Sequence, residues 1–112
     1  MATLKQNPTI KDLQIYVKQI TKERGWDKNS PIEIFFLMME EIGELARAIR
    51  DFKGFYTEKE NNAKKNLEEE FADVLAYLID LANQFDIDLE KAFREKDEIN
   101  KKREWTNPKM KF

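Results

Sequence analysis

The stretch FFLMMEEIGELARAIR, residues 35–50, decides the fold, because its apolar residues recur at the spacing of an α-helix. At about 100° per residue, one face collects most of its large apolar side chains. These are Ile34, Leu37, Met38, Leu45, Ala48, Ile49 and Phe52. Glu41 falls near the middle of this face and Glu44 at its edge. An unpaired carboxylate buried in such a place destabilises the folded protein or takes up a proton. The sequence therefore predicts that another group or an ion compensates the charge of Glu41.

The composition predicts a single all-α domain over residues 1–112. Charged residues make up 38% of the chain and hydrophobic residues 41%, with only 3 Gly and 3 Pro, as is typical of helical bundles. A net charge of −2 and the lack of a bilayer-length apolar run predict a cytoplasmic protein without nucleic-acid or membrane partners. Without Cys or His, the chain cannot form thiolate or imidazole zinc sites or a Ser-His-Asp triad.

Capping signals define the first half of this bundle. Thr9 begins a first helix that Gly25 can close. Ser30 and Glu33 form a capping box around Pro31, which begins a second helix ending at Gly54.

The second half is predicted to hold two more helices. A third helix spans about 67–85, after a polar link in which residues 57–60 could form another capping box. Its apolar stripe is predicted to contain Leu67, Phe71, Val74, Leu78 and Phe85. Asp88 caps a fourth helix that runs to about residue 103, and an irregular tail follows from about 104.

The second and third helices each carry a second apolar band. The bands comprise Phe35, Phe36, Met39, Gly43 and Ala46 on one helix and Ala72, Leu75, Ala76 and Ile79 on the other. A wide core within one chain could bury them. We favour a homo-oligomer, a dimer or a dimer-based tetramer, because two-sided apolar helices in so small a chain indicate burial on both sides.

Acidic residues on these two helices predict a metal site. Glu40, Glu41 and Glu44 form E-E-x-x-E, and Glu70 and Asp73 form E-x-x-D, with residues three apart sharing a helix face. Either motif alone would be typical of a solvated surface, which is also how we interpret Glu68, Glu69 and Asp80. Together, Glu41, Glu44, Glu70 and Asp73 suit a hard divalent cation, most plausibly Mg²⁺, with Mn²⁺ able to substitute.

Four further side chains could bind a phosphate-containing ligand. Lys96, Asn100 and Arg103 share one side of the fourth helix and could contact phosphate and sugar or base, or could simply form a solvated basic helix end. Trp26 could stack on a base or could plug the end of the bundle.

These segments resemble the MazG-like nucleotide pyrophosphohydrolases, the all-α NTP pyrophosphatase superfamily that includes dCTP pyrophosphatases and dimeric dUTPases. The resemblance covers about residues 24–103 and rests on EEIGELARAI, EEFADVLAYLIDLA and DLEKAFREKDEINKKR. It implies that Glu41, Glu44, Glu70 and Asp73 bind magnesium. It also implies that Trp26 stacks on the base and that the substrate contacts are Lys96, Asn100 and Arg103. Asn29 departs from the dCTP pyrophosphatase pattern, which often has histidine there, so base preference does not transfer.

The resemblance implies a housekeeping hydrolase that converts (d)NTP to (d)NMP and pyrophosphate, with pockets at chain interfaces. Glu40 could orient or deprotonate the attacking water, or could be a surface acid. Two alternatives remain open: a hydrolase of another pyrophosphate-containing metabolite, such as a histidine-pathway phosphoribosyl nucleotide, and a non-enzymatic helical dimer module.

Overall fold

Four α-helices make up the regular structure of the part of the chain that the structure describes. The computed structural model describes residues 1–54 and 62–104, and the helices are α1 (Ile10–Glu23), α2 (Pro31–Lys53), α3 (Ala63–Gln84) and α4 (Leu89–Lys101). Within these ranges there is no β-strand, which confirms the all-α class.

The predicted caps of α1 and α2 are present. The Thr9 hydroxyl accepts a hydrogen bond from the Asp12 N–H at 3.0 Å, and Ser30 accepts one from Glu33 at 3.3 Å. In both caps the acidic side chain accepts from the capping residue's own N–H, so both are capping boxes. Gly54 ends α2 in the left-handed conformation, with φ of 79°.

The bounds of α3 and α4 differ from the prediction at three ends. Helix α3 begins at Ala63, one turn earlier than predicted, and ends at Gln84. Asp88 caps α4 as predicted by accepting from the Lys91 N–H at 3.1 Å, but α4 ends at Lys101 rather than near residue 103. The proposed capping box at 57–60 and most of the predicted tail lie outside the described residues.

Helices α2 and α3 form the main packing unit and run antiparallel. Glu41 lies beside Glu70 and Asp73, whereas Phe52, later in α2, lies 5.8 Å from the Lys64 ammonium, earlier in α3. Buried and half-buried residues follow alternating steps of three and four along both helices, the spacing of a coiled-coil seam. The seam contains Ile34, Met38, Glu41, Leu45 and Ala48 from α2 and Leu67, Glu70, Val74, Tyr77 and Leu81 from α3.

The predicted apolar stripes are only partly buried. Phe71 and Leu78 on α3 and Phe85 at its C-cap are exposed, whereas Ile79, predicted in the second band, is buried. The reason is that α3 packs against α1 as well as α2, so its buried surface is not its largest apolar stripe. On α2, Ile49 and Phe52 are also exposed in the single chain.

A buried amide joins α1 to the α3–α4 turn. The Gln14 side chain donates to the Asn83 side chain at 3.0 Å and to the Ile87 carbonyl at 2.8 Å, and it accepts from the Leu89 N–H at 3.0 Å. Asn83 donates in turn to the Gln14 carbonyl at 2.9 Å. These bonds fix where α4 begins, against the N-terminal half of α1. Helix α4 itself contains no buried residue.

Candidate metal and nucleotide site

Three of the predicted acidic residues meet in the α2–α3 seam. Glu41 from α2 and Glu70 and Asp73 from α3 each offer a carboxylate oxygen, and these oxygens lie within 4.8 Å of one another. Glu41 and Glu70 are half-buried, because both occupy seam positions, whereas Asp73 is exposed at the seam's edge. We call these three residues the acidic cluster.

The acidic cluster disfavours its own negative charge. Burial raises the pKa of Glu41 most, followed by the hydrogen bond that its protonated form can donate to Glu70 and by the charges of Asp73, Glu70 and Glu40. A proton on Glu41 relieves this repulsion, and a cation would do the same. The neighbours of Glu41 therefore explain why its negative charge needs a proton or a cation to compensate it.

A divalent cation fits this donor set. One oxygen of Glu70, Oε2, is buried and accepts no hydrogen bond from any residue the structure describes. A buried acceptor without a hydrogen-bond donor destabilises the folded protein. A bound metal ion would supply the missing partner for this oxygen. Carboxylate oxygens are the ligands that hard divalent cations prefer. Glu41, Glu70 and Asp73 could hold such an ion.

Glu44 and Glu40 lie outside the acidic cluster. Three residues after Glu41 correspond to a rotation of about 60° around the helix, which carries Glu44 to the exposed side of α2. There its carboxylate lies 4.0 Å from Arg47. The structure thus does not bring the fourth predicted metal ligand to the other three. Glu40 is exposed, although its charge contributes to the raised pKa of Glu41.

Trp26 lies in the turn that follows α1. Gly25 has a positive φ of 73°, which allows the chain to reverse, and the Trp26 N–H donates to the Thr21 carbonyl at 2.8 Å. The Arg24 guanidinium lies over the indole at 5.0 Å from the ring centroid. The indole remains 53% exposed, so it does not plug the bundle as one of the alternatives required.

One cavity connects Trp26 with the acidic cluster. It has a volume of about 250 Å³, and both Trp26 and Asp73 line it. Tyr77, Asp80 and Arg24 also contribute. The remaining lining residues are Val17, Ile20, Thr21 and Ala76. An aromatic ring and a candidate metal ligand therefore face one concave surface.

Sequence reasoning missed Tyr77 and misassigned Asp80. Burial and the charges of Glu41 and Asp73 raise the pKa of the Tyr77 hydroxyl, which places it near the acidic cluster. Asp80, predicted to be solvated, is half-buried in the cavity wall. The signal was available, because Tyr77 and Asp80 follow Asp73 by four and seven residues and so share its helix face.

The predicted substrate contacts, on α4 and just after its end, do not line this cavity. Residues near the middle of α4, Phe93 and Asp97, border a surface pocket with Ile10 at the N-terminal end of α1. The Trp26 cavity instead lies at the C-terminal end of α1. Lys96, Asn100 and Arg103 are absent from its lining within the described chain.

Comparison with known proteins identifies the family. Residues 30–110 match the model of the MazG nucleotide pyrophosphohydrolase domain. The chain belongs to this family. It is 38% identical over 84 residues to the uncharacterized protein YpjD of Bacillus subtilis strain 168. The aligned residues cover 75% of this chain and 76% of YpjD. It is 35% identical over 94 residues to YvdC of the same organism, also uncharacterized, across 76% of this chain and 89% of YvdC.

A relative of known activity is more distant. Human dCTP pyrophosphatase 1 is 30% identical over 104 residues, which cover 86% of this chain but only 59% of the human protein. Family membership and this relative support nucleotide pyrophosphohydrolase activity. The predicted resemblance to MazG-like proteins and dCTP pyrophosphatases is thereby confirmed.

Within the described ranges, none of the helices combines the length and apolar character needed to cross a membrane.

Proposed function

We propose that this protein is a Mg²⁺-dependent nucleoside triphosphate pyrophosphohydrolase that converts (d)NTP to (d)NMP and pyrophosphate, in the housekeeping of the nucleotide pool. The observation that carries the proposal is that the acidic cluster and Trp26 share one cavity through Asp73. An aromatic surface for a base beside carboxylates for a cation is the pairing that a nucleotide substrate requires.

The chain's own residues suggest how the substrate is held. Trp26 would stack on the base, while Glu41, Glu70 and Asp73 would hold Mg²⁺, which Mn²⁺ could replace. When bound, the metal would offset triphosphate charge and lower the pKa of a water molecule. Glu44 would join these ligands only after a change of side-chain conformation, because it is exposed on α2 in the single chain.

Hydrolysis adds water across the anhydride bond between the α and β phosphorus atoms. The water oxygen ends on one product, the bridging oxygen stays on the other, and both leave as anions. Glu40 is our candidate for the base that receives the water proton, because it neighbours Glu41 and its side chain is exposed to solvent.

We further propose that a second copy of this chain completes the site. The outer band on α2 is exposed in the single chain, with Phe36 64% and Met39 47% accessible. On α3, Phe71 and Leu75 are 55% and 49% accessible. In the proposed assembly, these side chains are buried against a second copy, and α4 of one chain lies beside the cavity of the other. Lys96, Asn100 and Arg103 would then bind phosphate and sugar across the interface.

A nucleotide panel tests the activity. Purified protein is incubated with each common dNTP and NTP in Mg²⁺ or in EDTA, and the products are separated by ion exchange. We expect equal amounts of monophosphate and pyrophosphate, formed only with the metal. Release of single phosphates would contradict the proposed bond. Turnover of a phosphoribosyl nucleotide alone would favour the alternative substrate, and no turnover of any compound would favour a non-enzymatic module.

A further inference from the structure

Asp80 is a carboxylate in the cavity wall that the metal site does not use. It lies two turns beyond Asp73 on α3, and it is not part of the acidic cluster found among the described residues. It shares the cavity with Trp26, the ring that we propose stacks on the base. Asp80 and a base stacked on Trp26 would therefore share one cavity.

The surroundings of Asp80 leave its carboxylate able to accept further hydrogen bonds. The Gln84 amide, one turn later, donates to it, and no ion pair to Asp80 occurs within residues 1–54 and 62–104. Arg24 lines the same cavity, but its guanidinium lies over the Trp26 ring. An ionised carboxylate has about four acceptor positions, so one amide donor does not satisfy it.

Partial burial limits the hydration of the Asp80 carboxylate, although neither of its oxygens is both fully buried and without a hydrogen-bond partner. Val17, Ile20 and Ala76 contribute apolar surface to the cavity, and burial raises the pKa of Asp80 while the Gln84 hydrogen bond lowers it. A ligand that donates an N–H to Asp80 would recover the lost hydration. A ligand that presents a carbonyl oxygen there would place two acceptors against each other.

We propose that Asp80 selects nucleobases that carry an exocyclic amino group, by accepting a hydrogen bond from that group while Trp26 stacks on the ring. The inference rests on the proposed function, since it concerns the base of the same nucleotide. Cytosine presents an amino donor where uracil presents a carbonyl acceptor, and carboxylates pair with the cytosine amino group. Asp80 thus discriminates between two pyrimidines of almost equal size.

The test compares dCTP with dUTP. Rates of pyrophosphate release give kcat/KM for both nucleotides, in the wild type and in Asp80→Asn, which keeps the side chain's size but adds a donor. We expect the wild type to prefer dCTP by about 10- to 100-fold. Asp80→Asn should shift the ratio at least about tenfold towards dUTP, mainly through KM, because binding of the base changes and the phosphate chemistry does not.

Two controls isolate the role of Asp80. Asp86→Asn alters an exposed acid in the α3–α4 turn, where asparagine tolerates the positive φ of 53°, and should leave the ratio unchanged. Trp26→Ala should weaken both nucleotides alike, because stacking does not depend on base identity. Thermal melting of each variant establishes that it is folded at the assay temperature.

The outcomes separate this inference from the proposed function. Turnover with a wild-type ratio near one, or a ratio unchanged in Asp80→Asn, would overturn the role of Asp80 and leave the activity intact. Absence of turnover would overturn the activity. Calorimetric titration with dCMP and dUMP then measures the same preference without catalysis, and equal affinities for the two would overturn the inference there too.

Discussion

The α2–α3 seam and helix α4 place their charged side chains in opposite ways. The seam brings Glu41, Glu70 and Asp73 together within one chain, at positions where apolar residues would stabilise the fold better. Helix α4 is joined to α1 through Gln14. Lys96 on α4 and Arg103 just after its end are exposed, and neither lines the cavity. The comparison teaches that one chain brings the acidic half of the proposed site together, whereas the residues of its proposed basic half do not line the same cavity in that chain.

The largest expected effect concerns the acidic half. Glu41→Gln and Asp73→Asn should each lower turnover by about two orders of magnitude or more, the scale on which loss of one electrostatic group acts. Both remove charge but keep side-chain shape, so circular dichroism should show unchanged helicity. Glu68→Gln, an exposed acid on the same helix as Asp73, is the matched control and should remain active. Activity within a few-fold of wild type in Glu41→Gln would contradict the metal site.

Mixed dimers test the basic half. Chains carrying Glu41→Gln and chains carrying Lys96→Ala are co-expressed with different tags and purified through both. If α4 acts on the partner's cavity, each mixed dimer has one intact site of two, and should regain about half of the wild-type activity although both parents are inactive.

The mixed dimer also distinguishes the alternatives. If Lys96 served its own chain, every site would carry one defect and the mixture would stay inactive. Failure to recover any doubly tagged protein would contradict the proposed oligomer itself. A control pair in which both chains carry Glu41→Gln should be inactive in either arrangement.

The sequence predicted the helices because their signals are local. The capping boxes at Thr9 and Ser30 depend on residues three apart, and the structure has both. The start of α3 was less predictable, because Asn62 precedes the helix without a side-chain capping bond and so leaves no clear signal. The helix ends that could be predicted are therefore those with a capping side chain close by in the sequence.

The candidate site was less predictable because it depends on which helices meet. Glu41, Glu70 and Asp73 could be paired from the motif spacing alone. The position of Glu44 outside the acidic cluster could not be predicted in that way, since its exposure depends on how α2 is rotated against α3. The sequence shows that Asp80 shares a helix face with Asp73, but its half-burial in the cavity wall depends on the packing of α1 on α3.

Metal binding should stabilise the seam measurably. An ion that binds only the folded protein adds about 2.7 kcal/mol at a hundredfold excess over its Kd, so Mg²⁺ should raise Tm relative to EDTA at fixed ionic strength. Glu41→Gln should lose most of this gain. In EDTA the same variant should be as stable as wild type or more so, because burial and repulsion raise the pKa of Glu41 and make its ionised form unfavourable near neutral pH.

This test is specific because Glu41→Gln should lose stability relative to wild type in Mg²⁺ but not in EDTA. A solvated surface acid would show neither effect, as Glu68→Gln should demonstrate. Equal Mg²⁺ responses in wild type and Glu41→Gln would mean that Glu41 is a half-buried acid that no metal compensates.

The smallest expected effect concerns the attachment of α4. Gln14→Ala removes the amide that donates to the Ile87 carbonyl and accepts from the Leu89 N–H, and should lower the free energy of unfolding by about 1–3 kcal/mol. Gln19→Ala, an exposed residue of the same helix, is the matched control for urea unfolding. The Mg²⁺-induced gain should persist in Gln14→Ala, because the hydrogen bonds of Gln14 run to Asn83, Ile87 and Leu89 and not to the acidic cluster. Loss of that gain would show that the two regions are coupled, and that α4 supports the acidic half within its own chain.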